Sequence, residues 1–457
     1  MAKAPPDTGA HPDPAAHQSV LAASEAHASR AASPPATEEQ LPDPARLANM
    51  LQRLSEIAGD GEGAVSRLAL TADEREAHRV VAGWMADLGL TVAVDAFGNT
   101  IGTLPGQRAD LPALGIGSHL DSVPQGGRFD GVVGVVAGLE VVRLLTSAGR
   151  QLQHPLKVIA FVGEEGARFG EACLGSKAVV GQLQPGDLQR LRDADGVTLG
   201  QALQALDLDP RQLPSVRWAP NELAAFLELH IEQGRLLESE GKAIGLVEAV
   251  AGNTRLRLRV LGRADHSGGT PMHVRRDALT AAAEIVLGIE QLAREPRRRT
   301  TVATVGRLDV WPNSITTVPA RVTFYVDVRD VDGDRQREAA QDILTLAQQV
   351  AARRGVGLEA EKVGDSSPVV LPLWLRQRVR DVCNRLGVSH RVLNSGAGHD
   401  AAILARLLPA AMVFVPSHQG LSHCPEEWTS IADIATGVRV LYHTILALDE
   451  GLLENNG

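Results

Sequence analysis

Cysteine is nearly absent from this chain: Cys173, Cys383 and Cys424 are its only three. They form neither a CxxC pair nor an even-numbered framework, so no disulfide scaffold is expected and the reducing cytoplasm is the expected compartment. Excess positive charge is also missing. A formal net charge of −10 argues against a partner made of nucleic acid or anionic membrane. No apolar run approaches the ~20 residues a membrane-crossing helix needs. A GxSxG nucleophile elbow, a Walker loop and an internal repeat are absent too. Cys173 follows Glu171 without a partnered Lys or His, and Cys424 follows His423; both read as inert thiols rather than nucleophiles.

What is present points to a globular α/β protein. At 457 residues the chain exceeds the size at which one hydrophobic core stops growing, so two domains are expected. Residues 1–44 differ in kind, with twelve Ala, eight Pro and no Phe, Trp or Tyr; they read as a disordered tail. Asp7, Asp13, Glu25, Glu38, Glu39 and Asp43 make the tail too acidic for a mitochondrial transit peptide, and it lacks a secretory apolar core.

From Pro44 onward, Leu47, Met50, Leu51, Leu54 and Ile57 recur at helical spacing. Thr71 and Glu74 form a capping-box pattern opening a second helix that ends near Gly89. "TVAVDAFGNTIGTLPG" predicts a hairpin turning at Gly98–Asn99. "ALGIGSH", "LKVIAFVG", "AAFLELH" and "AAMVFVPS" are near-continuous apolar strands, of the kind buried in a sheet covered by helices on both faces. Residues 254–262 and 320–329 instead alternate strictly, as strands covered on one face do, with helices at 277–293 and 335–354. The expected organisation is a catalytic α/β domain over 45–247 and 363–457, its sheet mixed and largely parallel. An α+β domain over 248–362 is inserted into it.

The stretch "FVGEEGARFG" raises a chemical question, because Glu164 and Glu165 stand side by side where a core strand surfaces. Either both point into water or something cationic sits beside them. Other strand ends bear on the choice. His119 and Asp121 follow one strand and Asp130 the loop after it; His230 ends another, and His423 lies beyond a third. Ligands of open α/β sheets bind beyond the carboxyl ends of the strands. Imidazole and carboxylate are ligand types for zinc, manganese, cobalt or nickel. One such His is ordinarily a loop residue with a hydrogen bond; chance supply at four strand ends is far rarer. Asp121 shares a face with His119 and can accept its second ring N–H.

The segments "GSHLDSVPQGGRFDGVVGVVAGLE", "GEEGARFG", "LELHIEQGRLLE", "GRADHSGGTPMHVRRDA", "SGAGHDA" and "SHQGLSHCPEE" occur in this order. Together they resemble the M20 metallopeptidase-type amidohydrolases, in the branch of N-carbamoyl-L-amino acid hydrolases, allantoate amidohydrolases and β-ureidopropionases. The resemblance runs from about residue 45 to the end. "HIEQG" is its diagnostic element, since peptidase relatives carry a carboxylate where this branch has His230. It implies two divalent metal ions per subunit, with His119 and His230 on one, Glu165 and His423 on the other, and Asp130 bridging. Glu164 is implied as the proton shuttle and His266 as an oxyanion stabiliser. Gln233, Asn313, Arg329 and Gly398 are implied in substrate binding.

Arg329 has a plainer reading as a strand arginine paired with Asp327 or Asp330. "PNSITTVP" departs from the family pattern, with Thr316 where a second Asn is usual, so the substrate carboxylate is expected to be held differently. The implied activity is hydrolysis of a ureido C–N bond in a small carboxylate-bearing substrate such as an N-carbamoyl-L-amino acid. Allantoate and β-ureidopropionate are alternatives, and an aminoacylase or dipeptidase is disfavoured by His230. A binding protein that has lost catalysis is disfavoured by the intact Glu164. The resemblance also implies a homodimer in which His266 reaches the neighbouring subunit's site. The alternating strands 254–262 and 320–329 are the expected source of the pairing edges.

Overall fold

The computed structural model describes residues 41–454. Residues 1–40 of the expected tail lie outside them, whereas 41–44 are tied to the fold. The Asp43 carboxylate accepts the Ala45 and Arg46 N–H groups and so caps the helix Pro44–Ser55, and its own N–H donates to buried Glu140. The periodic Leu47, Met50, Leu51 and Leu54 are the buried face of that helix. At the helix Ala72–Asp87, Thr71 accepts the Glu74 N–H, but Glu74 does not complete a capping box. Its buried carboxylate accepts from Leu70 and Gly163 instead, pinning the turn just ahead of Glu164.

A nine-stranded sheet forms the centre. Its strands Leu156–Phe161, Ala113–His119, Leu223–Ile231 and Ala410–Val415 lie side by side and parallel. The hairpin Thr91–Val94/Thr100–Leu104 adds antiparallel to one flank, and Ile244–Val250 to the other. The hairpin turn is built on Asp95, whose carboxylate accepts the N–H groups of Phe97, Gly98 and Asn99; Gly98 takes φ +104. Helices Pro44–Ser55, Val132–Ser147, Leu373–Leu386 and Ile431–Glu454 share one apolar cluster with the sheet, while Leu174–Val179, Leu199–Ala205 and Asp400–Leu404 share a second. The sheet is mixed with a parallel centre and covered by helices.

A separate four-stranded antiparallel sheet runs in the order Gly357–Ser366, Gly252–Leu261, Arg321–Asp330, Val302–Trp311. Helices Ala278–Ala293 and Gly333–Arg354 pack on one face with their own apolar cluster. Leu256, Leu258 and Val260 face those helices, and Arg255, Arg257 and Arg259 the other side. The expectation about edges needs correction. Gly252–Leu261 and Arg321–Asp330 are the inner strands, each paired on both sides, because their buried alternate residues centre them over the helices. The free edges belong to Val302–Trp311 and Gly357–Ser366.

The expectation about long apolar segments also needs correction. Within the last helix, the 22 residues Ile431–Leu452 are long and apolar enough to cross a membrane by length and composition. Scattered charges hide this in the sequence. The helix nevertheless spends Ile434, Val438, Leu441, Ile445 and Leu448 on the core, packed against Val132–Ser147 and Leu373–Leu386.

Candidate active site

Parallel strands all end on one side, and the expected ligands gather there. His119 is the last residue of its strand, His230 the penultimate residue of another, and Glu164 and Glu165 follow Phe161. Asp130 stands at the centre. Its Oδ1 lies 3.0 Å from His230 Nε2 and 3.6 Å from His119 Nε2, and its Oδ2 lies 3.3 Å from His423 Nε2. His423 Nε2 is also 3.3 Å from Glu165 Oε2. Two clusters of metal-ligand type result, His119–Asp130–His230 and Asp130–Glu165–His423, with Asp130 in both.

The ring hydrogen bonds of the two buried histidines decide what the first cluster can hold. His230 Nδ1 lies 2.9 Å from the Ile231 carbonyl, and His119 Nδ1 lies 3.1 Å from the Asp121 carbonyl and 3.3 Å from its carboxylate. These neighbours only accept, so each Nδ1 carries a proton and each Nε2 is left facing Asp130 Oδ1, where it takes either a proton or a cation. His230 Nε2 is buried, and among the described residues Asp130 Oδ1 at 3.0 Å is the polar atom it faces. Two imidazole nitrogens, on side chains each 1% exposed, facing one carboxylate oxygen are a donor set suited to a cation. A divalent ion therefore fits these residues.

Asp121 organises the adjacent glutamates. Its Oδ1 accepts the Glu164 N–H at 2.8 Å and its Oδ2 the Glu165 N–H at 3.1 Å. The two side chains then diverge. Glu165 turns toward His423, while Glu164 Oε2 lies 3.9 Å from His119 Nε2 and Glu164 Oε1 accepts the Cys173 thiol at 3.2 Å. The electrostatics match a cation site. Burial and the Glu165 charge push Glu164 well above the usual carboxylate range, so it favours holding a proton. Burial opposes charge on His119, yet Asp121 and Asp130 outweigh it and raise the imidazole well above normal. Hydrogen bonds to Asp130 and Glu165 lift His423 to about 11. Burial likewise opposes the Asp130 charge, but His230, His119 and His423 hold its carboxyl well below the usual range.

The expected substrate residues divide into two groups. Gln233, with φ +55, donates through Nε2 to Asp130 Oδ2 at 2.7 Å and so sits beside the ligands. A Cβ on Gly398 would lie 3.8 Å from Glu164 Oε1. Gly398, Cys173, His399 and Arg329 line one cleft of about 480 Å³. Arg329 pairs with Asp327 through Nη2 at 3.0 Å and Nε, as its plainer reading has it, and also donates through Nη1 to the Gly396 carbonyl at 2.8 Å. A guanidinium has five N–H donors, so one on each Nη stays free for a carboxylate.

His266, Asn313 and Thr316 lie elsewhere. His266 pairs with Thr317 in a short ribbon, Ser267 donates to the Thr316 carbonyl, and Asn313 takes φ +54 in the adjoining turn. All three are exposed, and none bonds to the candidate ligands. His266 Nδ1 accepts the Gly268 and Gly269 N–H groups, which leaves its Nε2 as a donor.

Several residues at the site were not singled out from sequence. Buried Glu228 accepts from Ser118 and from the Ala401 N–H, and forms a third cluster with His230 and His399. The signal was there: a carboxylate two residues before His230 in an otherwise apolar strand shares its face. His399, within the "SGAGHDA" segment, packs edge-on against His230 at 4.6 Å. Ser422 and Glu427 bond to the Asp130 segment across almost 300 residues, a pairing no local pattern reveals.

Known proteins place the chain. Residues 115–447 match the family "Peptidase family M20/M25/M40". An N-carbamoyl-L-amino acid amidohydrolase of Geobacillus stearothermophilus is 42% identical over 406 residues, 89% of this chain and 98% of that protein. A ureidoglycolate hydrolase of Arabidopsis thaliana is 36% identical over 88% of this chain and 86% of its own length. A crystal structure of an amidase of the hydantoinase/carbamoylase family from Burkholderia multivorans superposes with a TM-score of 0.80 at 36% identity, covering 89% of this chain and 98% of that one. The chain belongs to the M20 peptidase family, in its hydantoinase/carbamoylase branch.

Proposed function

We propose that this chain hydrolyses the ureido C–N bond of an N-carbamoyl-L-amino acid, using two divalent cations (zinc, manganese, cobalt or nickel) per subunit of a cytoplasmic homodimer. One observation carries the reading: the two imidazole Nε2 atoms that converge on Asp130 Oδ1 in a buried pocket, with Glu165 and His423 around its other oxygen. When bound, such a cation pair lowers the pKa of a water molecule and offsets negative charge developing on the ureido oxygen.

The chain's own groups do the rest. Glu164 sits in the site but bonds to neither His230 nor His423, which leaves it free to take the proton of the attacking water and pass it to the leaving nitrogen. Its burial suits the protonated half of that cycle. Asp121 holds the Glu164 backbone and the His119 ring together, so acid and ligand keep one geometry. The free Nη donors of Arg329, facing the cleft that Gly398 also lines, receive the substrate carboxylate. His266 Nε2–H supplies an oxyanion donor to a second copy of the chain, since it bonds to no ligand of its own. Three free cysteines support the cytoplasmic assignment.

A second reading within the same chemistry takes a ureido acid such as allantoate or β-ureidopropionate. The ureidoglycolate hydrolase among the relatives favours it, and Thr316, one hydroxyl in place of the usual amide, leaves the choice of carboxylate-bearing substrate open. Ammonia release from a panel of N-carbamoyl-L-amino acids, allantoate and β-ureidopropionate separates the readings. Turnover of the N-carbamoyl amino acids above the others supports the first; no ammonia from any member contradicts both.

A further inference from the structure

Glu427 is 1% exposed and touches no expected ligand atom, yet all its hydrogen bonds go to ligand-bearing loops. Its Oε1 accepts the N–H groups of Phe129 at 2.8 Å and Asp130 at 3.1 Å. Its Oε2 accepts from Ser422 Oγ at 2.7 Å, and that hydroxyl also lies 2.9 Å from Asp130 Oδ2. The surrounding packing repeats the link. A Cβ at Gly127 would lie 2.2 Å from Glu427, Trp428 meets the Phe129 ring edge-on at 5.4 Å, and the Arg128 guanidinium lies 5.5 Å from the Trp428 ring. The loop of Asp130 and the loop of His423 are thereby laced into one unit.

His423 needs such support. Its side chain is 48% exposed, on a loop residue with φ +58, whereas His119 and His230 are 1% exposed on a central sheet. We propose that Glu427, acting with Ser422, is a positioning residue that holds Asp130 Oδ2 and His423 in register and so forms the outer cation site. The inner site shares Asp130, through Oδ1, but its other two ligands, His119 and His230, are held by the central strands, so it depends on Glu427 far less. This rests on the two-cation reading above.

The test is a titration of the full-length chain, stripped with a chelator, with manganese chloride alone, followed by calorimetry and by elemental analysis. Wild type binds two equivalents. Glu427→Ala binds the outer equivalent ~10–100-fold more weakly, with the inner one changed by less than about threefold. Glu427→Gln keeps an oxygen for both backbone donors and frees the Ser422 proton for Asp130, so it restores near-wild-type binding of both. Ser422→Ala, which leaves the backbone acceptors in place, weakens the outer equivalent alone and decides the matter if Glu427→Ala does not fold. Equal weakening of both equivalents, no weakening of either, or a Gln variant as defective as Ala overturns the proposal. Wild type that binds a single equivalent overturns the two-cation reading, and the proposal with it.

Discussion

Asp121 accepts the backbone N–H of Glu164 at 2.8 Å while its carboxylate also lies 3.3 Å from His119 Nδ1. One buried carboxylate thus fixes the backbone of Glu164 and the proton on His119 Nδ1. The adjacent glutamates surface in a core because a neighbour holds their backbones and their side chains leave in different directions.

That divergence predicts different phenotypes for the two. Glu164→Gln retains its metal and loses turnover by ~10²–10⁴-fold, since only proton transfer is removed. Glu165→Gln, which faces His423, binds metal more weakly. Elemental analysis of both purified variants separates them; equal metal loss contradicts the assignment.

Arg329→Ala acts through the substrate carboxylate. Loss of a charge-assisted pair costs ~1.5–3 kcal/mol, read in kcat/KM. An analogue with that carboxylate amidated loses little more in the variant than the acid does. If the wild type handles acid and amide alike, Arg329 serves only Asp327 and Gly396.

His266 is tested by complementation. His266→Ala and Glu164→Gln homodimers are each nearly inactive. Subunit exchange between them regenerates one intact site in each mixed dimer, so activity returns to roughly a quarter of wild type in a random mixture. No return despite proven exchange places His266 outside the neighbour's site.

The strand Arg321–Asp330 ends in a charge that is expected to make the four-stranded sheet acid-sensitive. Burial opposes the charge of Asp330, but Arg335, Thr301 and the Asp332 N–H outweigh it and pull its pKa down to about 2. A carboxyl whose folded pKa is depressed stabilises above its unfolded value, and that stability is lost as pH falls from ~4 through the folded pKa. Asp330→Asn therefore melts lower than wild type at pH 7, and the gap narrows as pH falls toward 2. A gap independent of pH shows that the Asp330 charge is not what holds the helix Gly333–Arg354 to this strand.

Much of this was legible in the sequence, for physical reasons. Strands buried on both faces must be apolar throughout, so "ALGIGSH" and "AAFLELH" declare themselves, and the polar residues that end them must face the crevice. Strict alternation in 254–262 gave a half-covered strand but not its neighbours, since pairing order depends on contacts far apart in the chain. Glu74 shows the limit of a local motif, because a capping-box glutamate was diverted to Gly163. Glu228 and Glu427 are harder to read, because a buried carboxylate is read from its partners, and Ser118, Ala401, Phe129 and Asp130 lie more than a hundred residues away from them.

The most direct measurement is ammonia release from an N-carbamoyl-L-amino acid before and after chelation, with thiol alkylation in parallel. Chelation is expected to abolish activity, and manganese, cobalt, nickel or zinc to restore it, because His119, Asp130, Glu165, His230 and His423 converge as candidate cation ligands. Alkylation is expected to do little, since Cys173 is buried and its thiol is pushed well above the usual range by burial and by the Glu164 charge. An enzyme indifferent to chelators and killed by alkylation would contradict the metal-dependent reading and return Cys173 as the reactive group.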